Sequence, residues 1–119
     1  MAYPDGPTIL AELARDLGAE TLRFAVDQFV QDAADLVARV EERHAAGDCT
    51  GVQRAAHALK GLFRQFGAPE VADVAASLDR NPQAGGPGAA ALVDRLRRES
   101  RVAVTRVQAD AEALLRAAR

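Results

Sequence analysis

Residues 19–46 run without a glycine or a proline, and their apolar side chains share one rhythm. Leu22, Val26, Phe29, Val30, Ala33, Leu36, Val37 and Val40 recur at three- and four-residue spacing. That is the period of an α-helix with one buried stripe; a half-buried strand would alternate instead. Such a helix is stable only when other apolar surfaces cover the stripe, so the rest of the chain must supply partners.

It supplies them as helices. A short first helix is predicted from Thr8, as N-cap, to Leu17, with Gly18 ending it. The long second helix spans Ala19 to Ala46 and stops at Gly47. Asp48 is the N-cap residue of a third helix, Cys49 to Phe66, which Gly67 ends. A fourth is predicted from Pro69 to Arg80, with Pro69 and Glu70 suited to its first turn. The segment NPQAGGPG, Asn81 to Gly88, reads as a loop. The last helix runs from Ala89 to Ala118, with a seam of Val93, Leu96, Ser100, Ala103, Val107, Ala111 and Leu114. The expected fold class is all-α: an antiparallel four-helix bundle with a short additional N-terminal helix, one domain over residues 1–119.

Composition narrows the function classes. Only 4% of residues are aromatic and none is Trp, so the core must come from Ala, Val, Leu and a few Phe. A net charge of -2 argues against a nucleic-acid partner, which calls for a basic surplus. Cys49 is the single cysteine, so no intrachain disulfide or cysteine-based zinc site can form; it reads as a buried or half-buried small residue. The start, MAYPDGPT, lacks the pattern of a signal peptide, and the apolar runs are too short to span a bilayer. A cytoplasmic protein, a monomer and, from the Ala, Arg and Gly bias, a bacterial source are the expectations.

The third helix carries the chemistry. On a wheel of about 100° per residue, Val52, Ala55, Ala56, Leu59, Leu62, Phe63 and Phe66 share one sector about 120° wide. His57 lies nearly opposite, among Gln53, Arg54, Lys60, Gly61, Arg64 and Gln65. Lys60 and Gly61 fall on the turn beside it, and Arg64 two turns along. Cations near an imidazole oppose its protonation, so a ring with an unperturbed pKa of about 6.5 is expected to be mostly neutral at neutral pH and nucleophilic. The same cations would stabilise an attached phosphoryl group. Gly61 costs the helix roughly 0.5–1 kcal/mol relative to Ala. That cost beside an exposed histidine points to a close approach by another molecule.

These residues resemble the histidine-containing phosphotransfer, or HPt, family. Asp48, Val52, the run Ala56-His57-Ala58-Leu59-Lys60-Gly61, then Gly67, Val71, Ala75, Leu78 and Asp79 match its core pattern, with Leu17-Gly18 and Phe29 upstream. The resemblance covers nearly the whole chain. It implies a four-helix bundle in which His57 accepts a phosphoryl group at Nε2, from a receiver-domain aspartate or a kinase, and passes it on. It implies that Lys60 balances phosphate charge, that Gly61 admits the receiver's active site, and that Asp79 accepts a hydrogen bond from Nδ1. The partners it implies are a response-regulator receiver domain and a sensor or hybrid histidine kinase. No cofactor is expected on this chain, and Mg²⁺ is expected on the receiver. Leu62 and Phe63 depart from the small residues usual after Lys-Gly; the wheel puts both on the buried side. Arg64 and Gln65 are bulky for an interface and would tune partner choice.

Plainer readings stand beside these. His57 can be an incidental surface histidine, Lys60 and Arg64 solvated charges, Gly61 a neutral choice and Asp79 a surface acid. His44, in the last turn of the second helix, reads as structural or solvated. The basic run Arg95, Arg97, Arg98 and Arg101 is interrupted by Asp94 and Glu99 and reads as a solvated face. There is no glycine-rich phosphate loop and no Mg²⁺-type carboxylate cluster, so the chain is expected to be a carrier without kinase activity of its own. The alternative is a helical scaffold or inhibitor that docks a receiver or kinase without being phosphorylated. A metal or haem site ranks low, because the two histidines are not at ligand spacing.

Overall fold

The computed structural model describes residues 6–117. The reading of the first five residues, and the end of the last helix at Ala118, lie outside them. Five α-helices follow in order: α1 Gly6–Leu17, α2 Ala19–Ala45, α3 Cys49–Gln65, α4 Pro69–Asp79 and α5 Ala90–Ala117, with a single 3₁₀ turn, Pro87–Ala89, before α5. No strand occurs among the described residues. Among the described residues no helix is long and apolar enough to cross a membrane.

Helices α2 to α5 form a ring in which each packs on the next and α5 closes on α2. At 27 and 28 residues, α2 and α5 reach about 40 Å, while α3 and α4 have only 17 and 11 residues. Their ends would be bare, and α1 covers them, packing on both α2 and α5 and burying Leu10 completely. This is the expected bundle with its extra N-terminal helix.

The helix ends follow from backbone chemistry. At the α2–α3 turn, Gly47 N–H donates to His44 C=O and Asp48 N–H to Arg43 C=O; at the α3–α4 turn Gly67 and Ala68 repeat the pattern on Arg64 and Phe63. Such paired bonds close a helix when the next residue takes a left-handed φ, and Gly47 and Gly67 have φ of 68° and 73°. Ala46, Phe66 and Arg80 are therefore capping residues just outside the helices to which the periodicity assigned them. Asp48 caps α3 as expected, its Oδ1 accepting from Gly51 N–H at 2.9 Å. Thr8 is not a cap. The helix begins at Gly6, because Pro7 lacks an N–H and suits a first turn.

The core is built around Phe29 of α2, stacked on Phe66 and edge-on to Phe63. Two expected core positions are displaced. Leu62 is only half-buried, at the rim between α2 and α3, while Phe63 is fully enclosed. Leu115 rather than Leu114 ends the α5 seam, because a fourth-residue step from Ala111 keeps the stripe facing α1 and α2.

The 81–88 loop is packed rather than loose. Ala84 is fully buried, His44 Nε2 lies 2.9 Å from Gly86 O, and Gln53 Nε2 donates to Asn81 C=O at 2.8 Å. His44 is thus structural. Half-buried Cys49 directs its thiol at Pro82 O, 3.2 Å away. At Gly85 a Cβ would stand 2.7 Å from Cys49 N and 2.8 Å from Gly47 O, both rigid backbone. We expect Gly85→Ala to destabilise the protein by about 1–3 kcal/mol, read as a lower thermal midpoint, because the loop must move off the α2–α3 turn. An unchanged midpoint would show that the loop carries no part of the packing.

Candidate functional site

α3 and α4 run antiparallel through the Gly67 turn, which brings the last residue of α4 alongside the middle of α3. His57 projects from α3 with 68% of its side chain exposed. Its Nδ1 lies 2.9 Å from Asp79 Oδ2, and Lys60 Nζ donates to that same oxygen at 3.2 Å. An acid at a helix C-terminus opposes the helix dipole and is disfavoured there without a partner. Asp79 has two. The His57 hydrogen bond holds its carboxyl below the usual carboxylate range; partial burial opposes this and the Lys60 hydrogen bond adds to it.

The contact fixes the ring's tautomer. A carboxylate only accepts, so Nδ1 must carry the proton and donate it. In a neutral ring the lone pair then sits on Nε2, the nitrogen turned away from Asp79. The sequence placed cations around the imidazole. The structure differs: the charged group touching the ring is the Asp79 carboxylate, and Lys60 spends its charge on that same group.

Gly61 is exposed on the next turn, and a Cβ there would meet nothing within 4 Å. No described neighbour requires a glycine there. At Gly51, by contrast, a Cβ would strike the Asp48 capping carboxylate. Arg64 is half-buried two turns along the same face as His57. Of the five residues singled out, the structure therefore joins His57, Lys60 and Asp79 by direct contact and sets Gly61 beside them.

The sequence did not reveal which residues of α2 border the site. Asp32, Asp35, Leu36 and Arg39 face Ala58, Gly61, Leu62 and Gln65 across a groove. Their spacing marks them only as one flank of the α2 stripe; which flank meets α3 depends on the packing. The basic run on α5 is a solvated face as read: Arg95 pairs with Glu99, and Arg97 and Arg98 with Asp94. Among the described residues no group of three His, Cys, Asp or Glu is placed to hold a metal ion.

Comparison with known proteins agrees with this geometry. A family model, the Hpt domain, matches residues 25–117. The fold is similar to the crystal structure of histidine-containing phosphotransfer protein B from Pseudomonas aeruginosa, with a TM-score of 0.79, 22% identity, and coverage of 89% of this chain and 92% of that one. No curated protein matches the sequence. With the family model spanning α2 to α5 and the bundle superposing on a solved relative, the chain belongs to the Hpt domain family of histidine phosphotransfer proteins.

Proposed function

We propose that residues 1–119 act as one phosphocarrier domain, in which His57 Nε2 takes a phosphoryl group from a receiver-domain aspartate or a histidine kinase and passes it on. The observation that carries this reading is the Asp79 contact, which holds the proton on Nδ1 and leaves the exposed Nε2 with its lone pair. In the transfer, the Nε2 lone pair forms a bond to phosphorus while the bond from phosphorus to the donor's carboxylate oxygen breaks. The ring becomes cationic, and Asp79, still accepting from Nδ1–H, stabilises it. Lys60, one turn from His57, rests on the Asp79 oxygen and turns its positive charge to the phosphoryl group once one is attached. Gly61 leaves room for the partner's active site. Mg²⁺ is supplied by the receiver, and ATP chemistry by the kinase.

The direct test is to incubate the protein with receiver domains phosphorylated on aspartate and follow the label. Acid-labile, base-stable phosphate on this chain is the expected result; a chain that binds receivers and never acquires label would instead be a docking scaffold.

Asp79 acts as a positioning residue, and its removal has a separate signature. Asp79→Ala should slow transfer about tenfold, the rate equivalent of one charge-assisted hydrogen bond of ~1.5 kcal/mol. It should also raise the fraction of His57 protonated at Nε2, read from ¹⁵N chemical shifts. Slower transfer with an unchanged tautomer would assign Asp79 another role. Because its carboxyl titrates below the ordinary range, the contact should persist at neutral and mildly acidic pH. Its contribution to stability is present above the unfolded carboxylate pKa and is lost as pH falls through the depressed folded value.

A further inference from the structure

The groove between α2 and α3 has its charges sorted by sign. Half-buried Leu36 and Leu62 form its floor. Asp32 and Asp35 border the end level with Gly61. Arg39, Arg43 and Arg54 border the part that extends toward the start of α3, where the acid Asp48 is paired with Arg43, so the charges left unpaired there are Arg39 and Arg54. Asp32 and Arg39 are seven residues apart on α2, so the two ends are separated by about 10 Å along the axis.

The charges of Asp32, Asp35, Arg39 and Arg54 are not neutralised by ion pairs among the described residues, although Asp35 and Arg39 have the i,i+4 spacing that favours one. Asp32 has only a hydrogen bond from Gln28. On α5, in contrast, Arg95, Arg97 and Arg98 are all paired with acids on their own helix. Gly61, one turn from His57, lines the groove, and a Cβ there would meet no described residue within 4 Å.

Building on the phosphocarrier reading, we infer that this groove selects the phosphoryl-exchanging partner by charge order. The partner is a receiver domain that lays a surface with basic residues against Asp32 and Asp35 and acidic residues against Arg39 and Arg54. The reverse placement brings like charges together at both ends, so it is disfavoured and the docked orientation is fixed. A second copy of this chain turned end for end would also satisfy the charge order. It would cover Gly61, however, and close the approach to His57 that a carrier requires.

The test uses a panel of purified receiver domains phosphorylated with acetyl phosphate, each mixed with the wild-type protein. Two double variants, Asp32→Lys with Asp35→Lys, and Arg39→Glu with Arg54→Glu, change exposed or half-buried side chains at opposite ends of the groove. Circular dichroism melts establish that each is folded. The receiver that reacts fastest with wild type should slow at least tenfold with each variant. The wild-type rate should fall with salt between ~0.1 M and ~1 M, as the screening length shrinks from ~10 Å to ~3 Å. Wild-type transfer that is insensitive to salt, with an unchanged ranking of receivers in both variants, overturns the charge-order inference and leaves the phosphocarrier reading intact. A wild-type dimer in sedimentation that both variants abolish reassigns the groove to self-association and overturns it too. No transfer from any receiver to wild type overturns both.

Discussion

Replacing His57 with glutamine should reduce phosphoryl uptake to background while leaving the fold intact. Glutamine keeps a polar side chain whose amide N–H can still donate to Asp79, but it has no nitrogen lone pair able to attack phosphorus. The imidazole is 68% exposed and takes no part in the apolar core, so the stability change should stay within about 0.5 kcal/mol. Label transfer from a phosphorylated receiver, measured beside a thermal melt, checks both halves. Uptake that survives at wild-type rate would place the acceptor elsewhere. Lost uptake with a collapsed melt would make His57 a structural residue.

The second large effect is expected at Gly61, where stability and function should move in opposite directions. A Cβ there meets no described residue within 4 Å, and glycine inside a helix is destabilising. Gly61→Gln should therefore raise unfolding free energy by roughly 0.5–1 kcal/mol. Transfer from a receiver should nevertheless slow by about 10–100-fold, because a side chain of that size intrudes where the partner must approach, at a cost of ~1–3 kcal/mol. Chemical denaturation and transfer kinetics on one preparation measure the two changes. A stabilised variant that transfers at the wild-type rate would mean that Gly61 lies outside the docked surface.

Much of this was legible in the order of residues. The α2 period, the glycines after three helices and the Asp48 cap fix the elements, because each is a local matter of backbone geometry and spacing. His57 opposite the α3 apolar sector is equally local, and its exposure follows from helix phase alone. What escaped depends on which elements meet. Leu62 belongs to the buried sector by angle, yet α2 does not close over it. Residues 81–88 have loop composition, yet Gly85 sits against the α2–α3 turn and Ala84 is enclosed. The wheel put Lys60 beside the imidazole as a free cation. The family resemblance set Asp79 on the imidazole Nδ1, but only the antiparallel return of α4 shows that the same carboxylate takes up Lys60 as well. The α2 flank with Asp32, Asp35 and Arg39 is likewise invisible until α3 is packed against it.

Heteronuclear NMR of the ¹⁵N-labelled, phosphorylated protein tests the central claim most directly, because coupling between ³¹P and a ring nitrogen identifies the atom that carries the phosphoryl group. Coupling to Nε2 of His57, with Nδ1 still protonated and hydrogen-bonded, is the predicted result. Phosphorus on Nδ1, on His44 or on any other residue would contradict it.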